Sequence, residues 1–386
     1  MRQIPPNADR LVVVLSDVEM GAGGVLDDFP HSPFLAELIG SYGEKPYHGL
    51  PVDLVFNGDT FDLLKTRVDG VYPRHVTEAV ALAKLDAVLA AHPAFLEGVR
   101  AFLSGGEEPR RVHFVIGNHD AELAFPAVQR RLSEAIGRPG VWFPGFGVDI
   151  GDLRIEHGSQ GDPMFQVDEH HPLTSWKGET LLDLPWGSVG VIDVMLPLQQ
   201  QLYALDRVKP RPRVFELLPE VKDFLAAAFW RYWTREYLVD LWNRSDPTRK
   251  ASWSMLKEVL YRFTTFDPDT AASAHYQKLV GEQDRYRVVV IGHHHAPGWW
   301  SWADRKVLQA GCLRDEYVID RAGTVIGQLP KVYVEVFLAR GRVVRSHLVE
   351  VDGPPPIPGH VPASILELRD KILPLLGDLP PSPEPK

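Results

Sequence analysis

Short, mainly apolar runs that stop abruptly at polar residues organise this chain. Leu11 to Leu15 ends in Ser-Asp, Val52 to Phe56 in Asn-Gly-Asp, Val112 to Ile116 in Gly-Asn-His-Asp, and Arg287 to Ile291 in Gly-His-His-His. Short runs without alternation are the pattern of strands buried on both faces. Each delivers polar residues at its C-terminal end, the edge where α/β sheets build ligand sites. Helical patterns lie between the strands, at Val76 to Ala91 and Ala121 to Ile136. Val148 to Ile150 and Leu153 to Glu156 flank Gly151-Asp152, and Val332 to Leu338 and Val343 to Val349 flank Ala-Arg-Gly-Arg. Both are hairpin signals.

Residues 160–284 break this rhythm, with few strand patterns and many aromatics. Val221 to Trp242 reads as a helix, with Phe224, Trp230, Trp233, Tyr237 and Leu241 near helical spacing. The segment is read as an inserted, mainly helical cap, leaving 1–159 and 285–352 as the core. The rest, 353–386, is a proline-rich tail with one candidate helix, Ala363 to Leu376, and an end expected to be disordered.

Length and composition fit this division. A chain of 386 residues with 45% hydrophobic and 24% charged positions suits one large domain with an insertion, or two domains. The formal net charge of −10 argues against nonspecific binding to duplex nucleic acid, which runs on Lys and Arg. It leaves a phosphorylated substrate open, because bound cations reverse the potential inside a pocket. The single cysteine, Cys312, rules out an intrachain disulfide and fits a reducing compartment. The opening MRQIPPNADR has no apolar signal core, and Leu11 to Leu15 is too short for export or spanning. The expected location is cytoplasmic, with peripheral membrane contact left open.

Five polar groups carry the chemistry. Asp17 and Glu19, two apart, face one cation if their segment is extended; the plain alternative is a polar turn. Asp59 and Asp62 follow Gly58, in residues that also make ordinary turns. Gly117-Asn118-His119-Asp120 offers a neutral oxygen, an imidazole and a carboxylate, and equally a helix cap. His157 follows the strand Leu153 to Glu156. In Gly292-His293-His294-His295, His293 and His295 share a face in an extended segment while His294 points away; imidazole suits zinc, iron and manganese. All five groups follow apolar strands and contain metal-ligand residue types, a coincidence that singly ambiguous turns do not explain.

In this order the residues resemble the calcineurin-like metallophosphoesterase superfamily, whose pattern runs D-x-H, G-D-x-x-D, G-N-H-[DE], a lone His, and G-H-x-H. The correspondence covers about 11–158 and 286–350. It implies an α/β fold, a four-layer αββα sandwich, with two divalent ions at one edge. Asp59 would bridge them. Asp17, Glu19 and His295 would complete the first, and Asn118, His157 and His293 the second. His119 would protonate the leaving oxygen or stabilise the transition state, oriented by Asp62. The implied activity is hydrolysis of a phosphomonoester, phosphodiester or pyrophosphate. Bacterial UDP-2,3-diacylglucosamine pyrophosphohydrolases resemble this chain in carrying a helical insertion at the same place.

Glu19 departs from the pattern, which has His there. Two readings follow. Either Glu19 ligates, and the added charge and oxygen donor favour harder ions such as manganese or magnesium over zinc, manganese being preferred among manganese, iron, zinc and magnesium; or it does not, and that position is weak or empty. The departure also supports a rival function, a binding or scaffold protein with weakened catalysis. A nuclease of the same superfamily is a third. Trp230 and Trp233 read as the cap's own core, the alternative being a surface for a lipid phosphate. Arg207, Lys209, Arg211 and Arg213 read as a solvated loop, the alternative being an anionic head-group site. His170 and His171 have surface and pocket readings, and Cys312 a structural one. Substrate-binding residues and oligomeric state leave no signature.

Overall fold

Six strands pair in the order Arg342–Val351, Lys331–Ala339, Arg10–Leu15, Val52–Asn57, Arg110–Val115 and Val141–Gly145. A second sheet runs Pro297–Trp302, Arg305–Ala310, Val288–Ile291, Leu153–Glu156, Gly147–Ile150. The structure is a computed structural model describing residues 3–232, 246–248, 257, 276, 285–369 and 371. In the first sheet, Arg10–Leu15, Val52–Asn57, Arg110–Val115 and Val141–Gly145 are mutually parallel. Leu153–Glu156, Val288–Ile291 and Arg305–Ala310 are parallel in the second. Both expected hairpins form, with Leu153 opposite Ile150 and Val343 opposite Leu338.

Period-two geometry divides the strands' apolar residues between two cores. Val12, Val14, Val55 and Val115 meet Ile155, Val290 and Leu308 in one cluster, so the two sheets pack face to face. Leu11, Val13, Leu54, Phe56, Val112 and Phe114 point the other way, against Leu35, Leu85, Val99 and Val128 of four helices. Burying each such side chain contributes roughly 1.5–3 kcal/mol. These are three layers: helices, sheet and sheet. The outer face of the second sheet carries Val289, Ile291 and Val307 against Tyr276, and a helical fourth layer would fall outside the described residues.

The helices begin where local chemistry dictates. Thr77 caps Glu78–Ala91 by accepting from the Val80 amide. The expected helix over 121–136 is instead a short 3₁₀ turn, Ala121–Ala124, followed by Pro126–Ile136. Proline has no amide to donate and forces Phe125 extended (φ −77°, ψ 124°), so the helix restarts at the first position that tolerates proline.

Between the core segments, the described residues hold the small sheet Leu173–Trp176 with Glu179–Leu182 and the helices Gln199–Asp206, Arg211–Leu217 and Pro219–Arg231. Val208–Lys209 pairs with Tyr317–Ile319 of the later chain. The helix expected over 221–242 is seen to Arg231; Trp233, Tyr237 and Leu241 lie outside the described residues. Of the tail helix, the described part is the 3₁₀ turn Ile365–Leu368, closed by a capping box between Ser364 and Glu367. Among the described residues no single helix is long and apolar enough to cross a membrane.

Candidate metal centre

Parallel pairing carries the polar loops after Leu15, Asn57, Val115, Glu156 and Ile291 to one edge. Backbone hydrogen bonds lace them together: the Glu19 amide donates to the Asp59 carbonyl at 2.8 Å, Gly292 to His157 at 2.6 Å, and Leu313 and Arg314 both to Asp17 at 3.1 Å. Two glycines permit the close approach. A Cβ on Gly117 would collide with the carboxylate and amide of Asp59, and one on Gly292 with Ser16 and Asp17.

The loops are not extended. Asp17, Glu19, Asp59, His293 and His295 take φ of 51°, 54°, 49°, 71° and 59°. They are five of the nine non-glycine residues in that region among the described residues. Such strain gathers where tertiary structure holds a functional arrangement. The premise of an extended His293-His294-His295 therefore fails. His294 does not point away from the site; it is buried and lines the same cleft.

Around Asp59 the donors are close. His157 Nε2 lies 3.1 Å from Asp59 Oδ2 and 3.1 Å from Asn118 Oδ1. Ligand atoms of Asp59, His157 and His293 all lie within 4.8 Å of one another. Bonds of about 2.0–2.2 Å to one ion place neighbouring donors about 3 Å apart, so this set fits a divalent cation. Each imidazole is oriented from behind: His157 Nδ1 sits 3.0 Å from the Asn57 carbonyl, and His293 Nε2 sits 3.0 Å from Asp162 Oδ2. Burial presses His157 towards the neutral form, yet Asp59, helped by Asp17 and the Asn57 carbonyl, raises His157 to about 9. Burial wins at His293, which falls to about 4.

His119 stands beside this set. Its amide donates to Asp59 Oδ1 at 2.7 Å and its Nδ1 lies 2.9 Å from Asp62 Oδ1. Burial opposes protonation, but Asp59, Asp62 and Glu19 carry His119 to about 10. Asp120 acts as a clamp: its carboxylate accepts from Gly117 at 2.7 Å and Thr60 at 2.8 Å, fixing the two loops.

The surroundings of Glu19 differ. His295 Nε2 lies 3.1 Å from Glu19 Oε1 and 3.5 Å from Asp17 Oδ1. Arg314 Nη1 donates to both Glu19 oxygens, at 3.0 and 2.9 Å, and Lys65 Nζ donates to Oε2 at 3.0 Å. Burial works against ionisation of Glu19, and Arg314 and Lys65 overcome it, holding the carboxyl well below its ordinary range.

Lys65, Arg314, Asp28, Asp206, Asp162 and Glu316 belong to the site and escaped the sequence reading. Arg314 to Glu316 carry a weaker signal: the strand Arg305–Ala310 ends in Gly311, and the charges come only after Cys312-Leu313. Arg207 is a correction in the other direction. It is fully buried, donating to Asp28 at 2.6 Å, and not a solvated loop residue. Lys209 and Arg211 line the cleft, while Arg213 pairs with Glu216 on the surface. Cys312 is buried; with His295 and Glu316 it forms a further group of ligand types.

Above these residues opens a cleft of about 280 Å³. Its floor carries Asp59, Asn118, His119, His293 and His295. Its lining interleaves Lys65, Lys209, Arg211 and Arg314 with Glu19, Asp28, Asp162 and Asp206, and adds the apolar Phe165, Val191, Met195 and Leu196.

No protein-family model matches this chain, and no curated protein does, the UDP-2,3-diacylglucosamine hydrolases included. Among solved structures, a conserved uncharacterised protein from Streptococcus pneumoniae, described as a predicted phosphoesterase, aligns over 88% of this chain and 97% of its own at 12% identity and a TM-score of 0.26. Vps29 complexed with zinc from Entamoeba histolytica aligns over 88% and 98% at 10% identity and 0.26. Phosphopantetheinyl hydrolase from Mycobacterium tuberculosis aligns over 80% and 91% at 13% identity and 0.26. Similarity this low transfers neither fold nor chemistry, so the functional reading rests on the chain's own residues.

Proposed function

We propose that this chain is a metal-dependent phosphoesterase hydrolysing a phosphomonoester, phosphodiester or pyrophosphate with water as nucleophile. The convergence of Asp59, Asn118, His157 and His293 beside the His119–Asp62 pair carries this reading. The four donors hold one divalent ion, for which manganese is the expected metal. The family resemblance would put another at Asp17, Glu19, Asp59 and His295, where Arg314 and Lys65 already compete for Glu19.

A bound divalent ion supplies a water of lowered pKa and neutralises charge on the phosphoryl oxygens. The chain's own groups do the rest. Asp62 holds His119 as imidazolium, and His119 donates its Nε2 proton to the leaving oxygen. Lys65, Lys209, Arg211 and Arg314 draw the anionic substrate into the cleft. Phe165, Val191, Met195 and Leu196 accept an apolar part of it, which supports a substrate with an apolar group near the phosphate, a lipid phosphate among them. Equal cleavage of small soluble diesters and acylated ones would remove that last point.

The deciding assay is manganese-dependent turnover of p-nitrophenyl phosphate and its bis ester, with and without chelator, against His119→Ala. Turnover that needs metal and His119 is expected. No metal-dependent turnover of either ester would hand the case to the scaffold reading, which the ion-paired state of Glu19 favours.

A further inference from the structure

We infer that the first cation position of this centre is served by protein side chains and not by an ion. Arg314 and Lys65 supply its positive charge, and the chain holds one resident divalent ion, at Asp59, Asn118, His157 and His293. This rests on the phosphoesterase reading of the site.

Donor capacity carries the inference. A carboxylate offers two acceptor positions on each oxygen. On Glu19, Oε1 meets Arg314 Nη1 at 3.0 Å and His295 Nε2 at 3.1 Å; Oε2 meets Arg314 Nη1 at 2.9 Å and Lys65 Nζ at 3.0 Å. Three nitrogen atoms face these positions: Arg314 Nη1, which reaches both oxygens, Lys65 Nζ and His295 Nε2. To ligate, Glu19 would have to give up a buried guanidinium or ammonium.

Neither cation is free to leave. Arg314 Nη2 donates to Asp206 Oδ2 at 2.9 Å, and its side chain is 2% exposed. Lys65 Nζ reaches Asp28 Oδ2 at 2.6 Å and Asp62 Oδ2 at 3.2 Å. An ion among Asp17, Glu19 and His295 would sit beside two fixed positive charges, which repel it strongly where water is scarce. Guanidinium stays charged at any working pH.

The two side chains also do what such an ion would do for a substrate. Together they carry two positive charges, the charge of one divalent ion. Both line the cleft over His119 and Asp59. Guanidinium and ammonium donors are the standard protein ligands of phosphoryl oxygen. The three ammonium donors of Lys65 are taken by Glu19, Asp28 and Asp62, so Lys65 acts through its charge; the assigned ligand is a phosphoryl group of the substrate, drawn by Arg314 and Lys65 on one side and held by the resident ion on the other. Glu19 becomes the anchor that positions Arg314.

The test counts ions on the full-length protein titrated with manganese, by calorimetry and elemental analysis, with EPR as a second readout. One ion per chain with an uncoupled six-line EPR signal is expected. Two ions per chain with an exchange-coupled signal would overturn the inference and leave the phosphoesterase reading standing. No bound ion would overturn both. On the manganese-loaded protein, Arg314→Met should weaken orthophosphate binding about 10- to 100-fold at unchanged ion count, with Arg314→Lys in between. Unchanged phosphate affinity in a folded Arg314 variant would also overturn it. If Arg314→Met fails to fold, the ion count of the unaltered chain and the phosphate affinity of Arg314→Lys decide.

Discussion

His119 Nδ1 lies 2.9 Å from Asp62 Oδ1, and the same histidine's amide is fastened to Asp59. The loop that offers ligands therefore also presents an oriented acid. Replacing His119 with alanine should lower kcat by about 10²–10⁴ while leaving bound metal unchanged, since proton transfer is what it removes. Asp62→Asn should be milder. Because the protonated form is the active one, activity persists below the pKa of His119 and is lost as pH rises through it. That pKa stands at about 10 with Asp62 contributing, so Asp62→Asn should move the alkaline limb to lower pH. A limb that stays in place would separate Asp62 from His119.

Ion binding itself should release a proton. His157 is raised to about 9: burial lowers it, and the neighbouring Asp59, helped by Asp17 and the Asn57 carbonyl, more than compensates. At pH 7.5 the ion-free protein therefore carries a proton on the nitrogen that must bind metal. More protons are bound without the ion than with it, so raising pH favours binding. Affinity should climb about tenfold per pH unit for this proton and level off near pH 9. Calorimetry in buffers of different ionisation enthalpy reads the proton directly; identical heats in Tris and Hepes would refute the linkage.

Much of this centre was legible because it repeats one local device. An apolar strand followed by acid or imidazole occurs after Leu15, Asn57, Val115 and Ile291, with an intervening glycine in the last three, and the C-terminal ends of such strands share one edge of the sheets. The counter-charges were not legible. Lys65, Asp28 and Asp206 sit in stretches of mixed polar and apolar residues, and nothing local tells a buried ion pair from a solvated one. Their burial is a product of how separate loops pack, as Arg207 shows most plainly. The strand Pro297–Trp302 was missed for a similar reason: its Trp-rich sequence alternates between exposed and half-buried positions at a sheet edge. The left-handed residues in the site loops have no sequence signature, since Asp and Glu take φ near 50° here only because neighbouring loops hold them there.

Gly117 tests how tightly those loops must approach. A methyl group there would meet the Asp59 amide nitrogen at 2.5 Å as well as its carboxylate, and a backbone atom cannot rotate away. Gly117→Ala should weaken manganese binding about 10- to 100-fold, the scale of losses when groups supporting a metal ligand are disturbed. Gly190→Ala, a helical position with open space around its Cβ, is the matched control and should leave affinity unchanged. Equal affinities in the two variants would mean that the loops have more freedom than their packing indicates.

Lys84 and Glu122 tie two of the outer helical elements together beneath the surface. Nζ and Oε1 are 2.8 Å apart, with side chains 0% and 2% exposed. Glu122 lies in the turn directly after His119 and Asp120, so stability is followed by unfolding and metal binding is measured beside it. Two charges withdrawn from water are stabilised mainly by each other, which makes loss of one partner far worse than loss of both. Lys84→Met should leave the Glu122 carboxylate buried and cost about 3–5 kcal/mol, while Lys84→Met with Glu122→Leu should recover most of that. Unfolding of both single variants and the double one, followed by calorimetry, gives the coupling. A double variant as unstable as the sum of the singles would show that the two charges do not depend on each other, and that the helices are held by their apolar contacts alone.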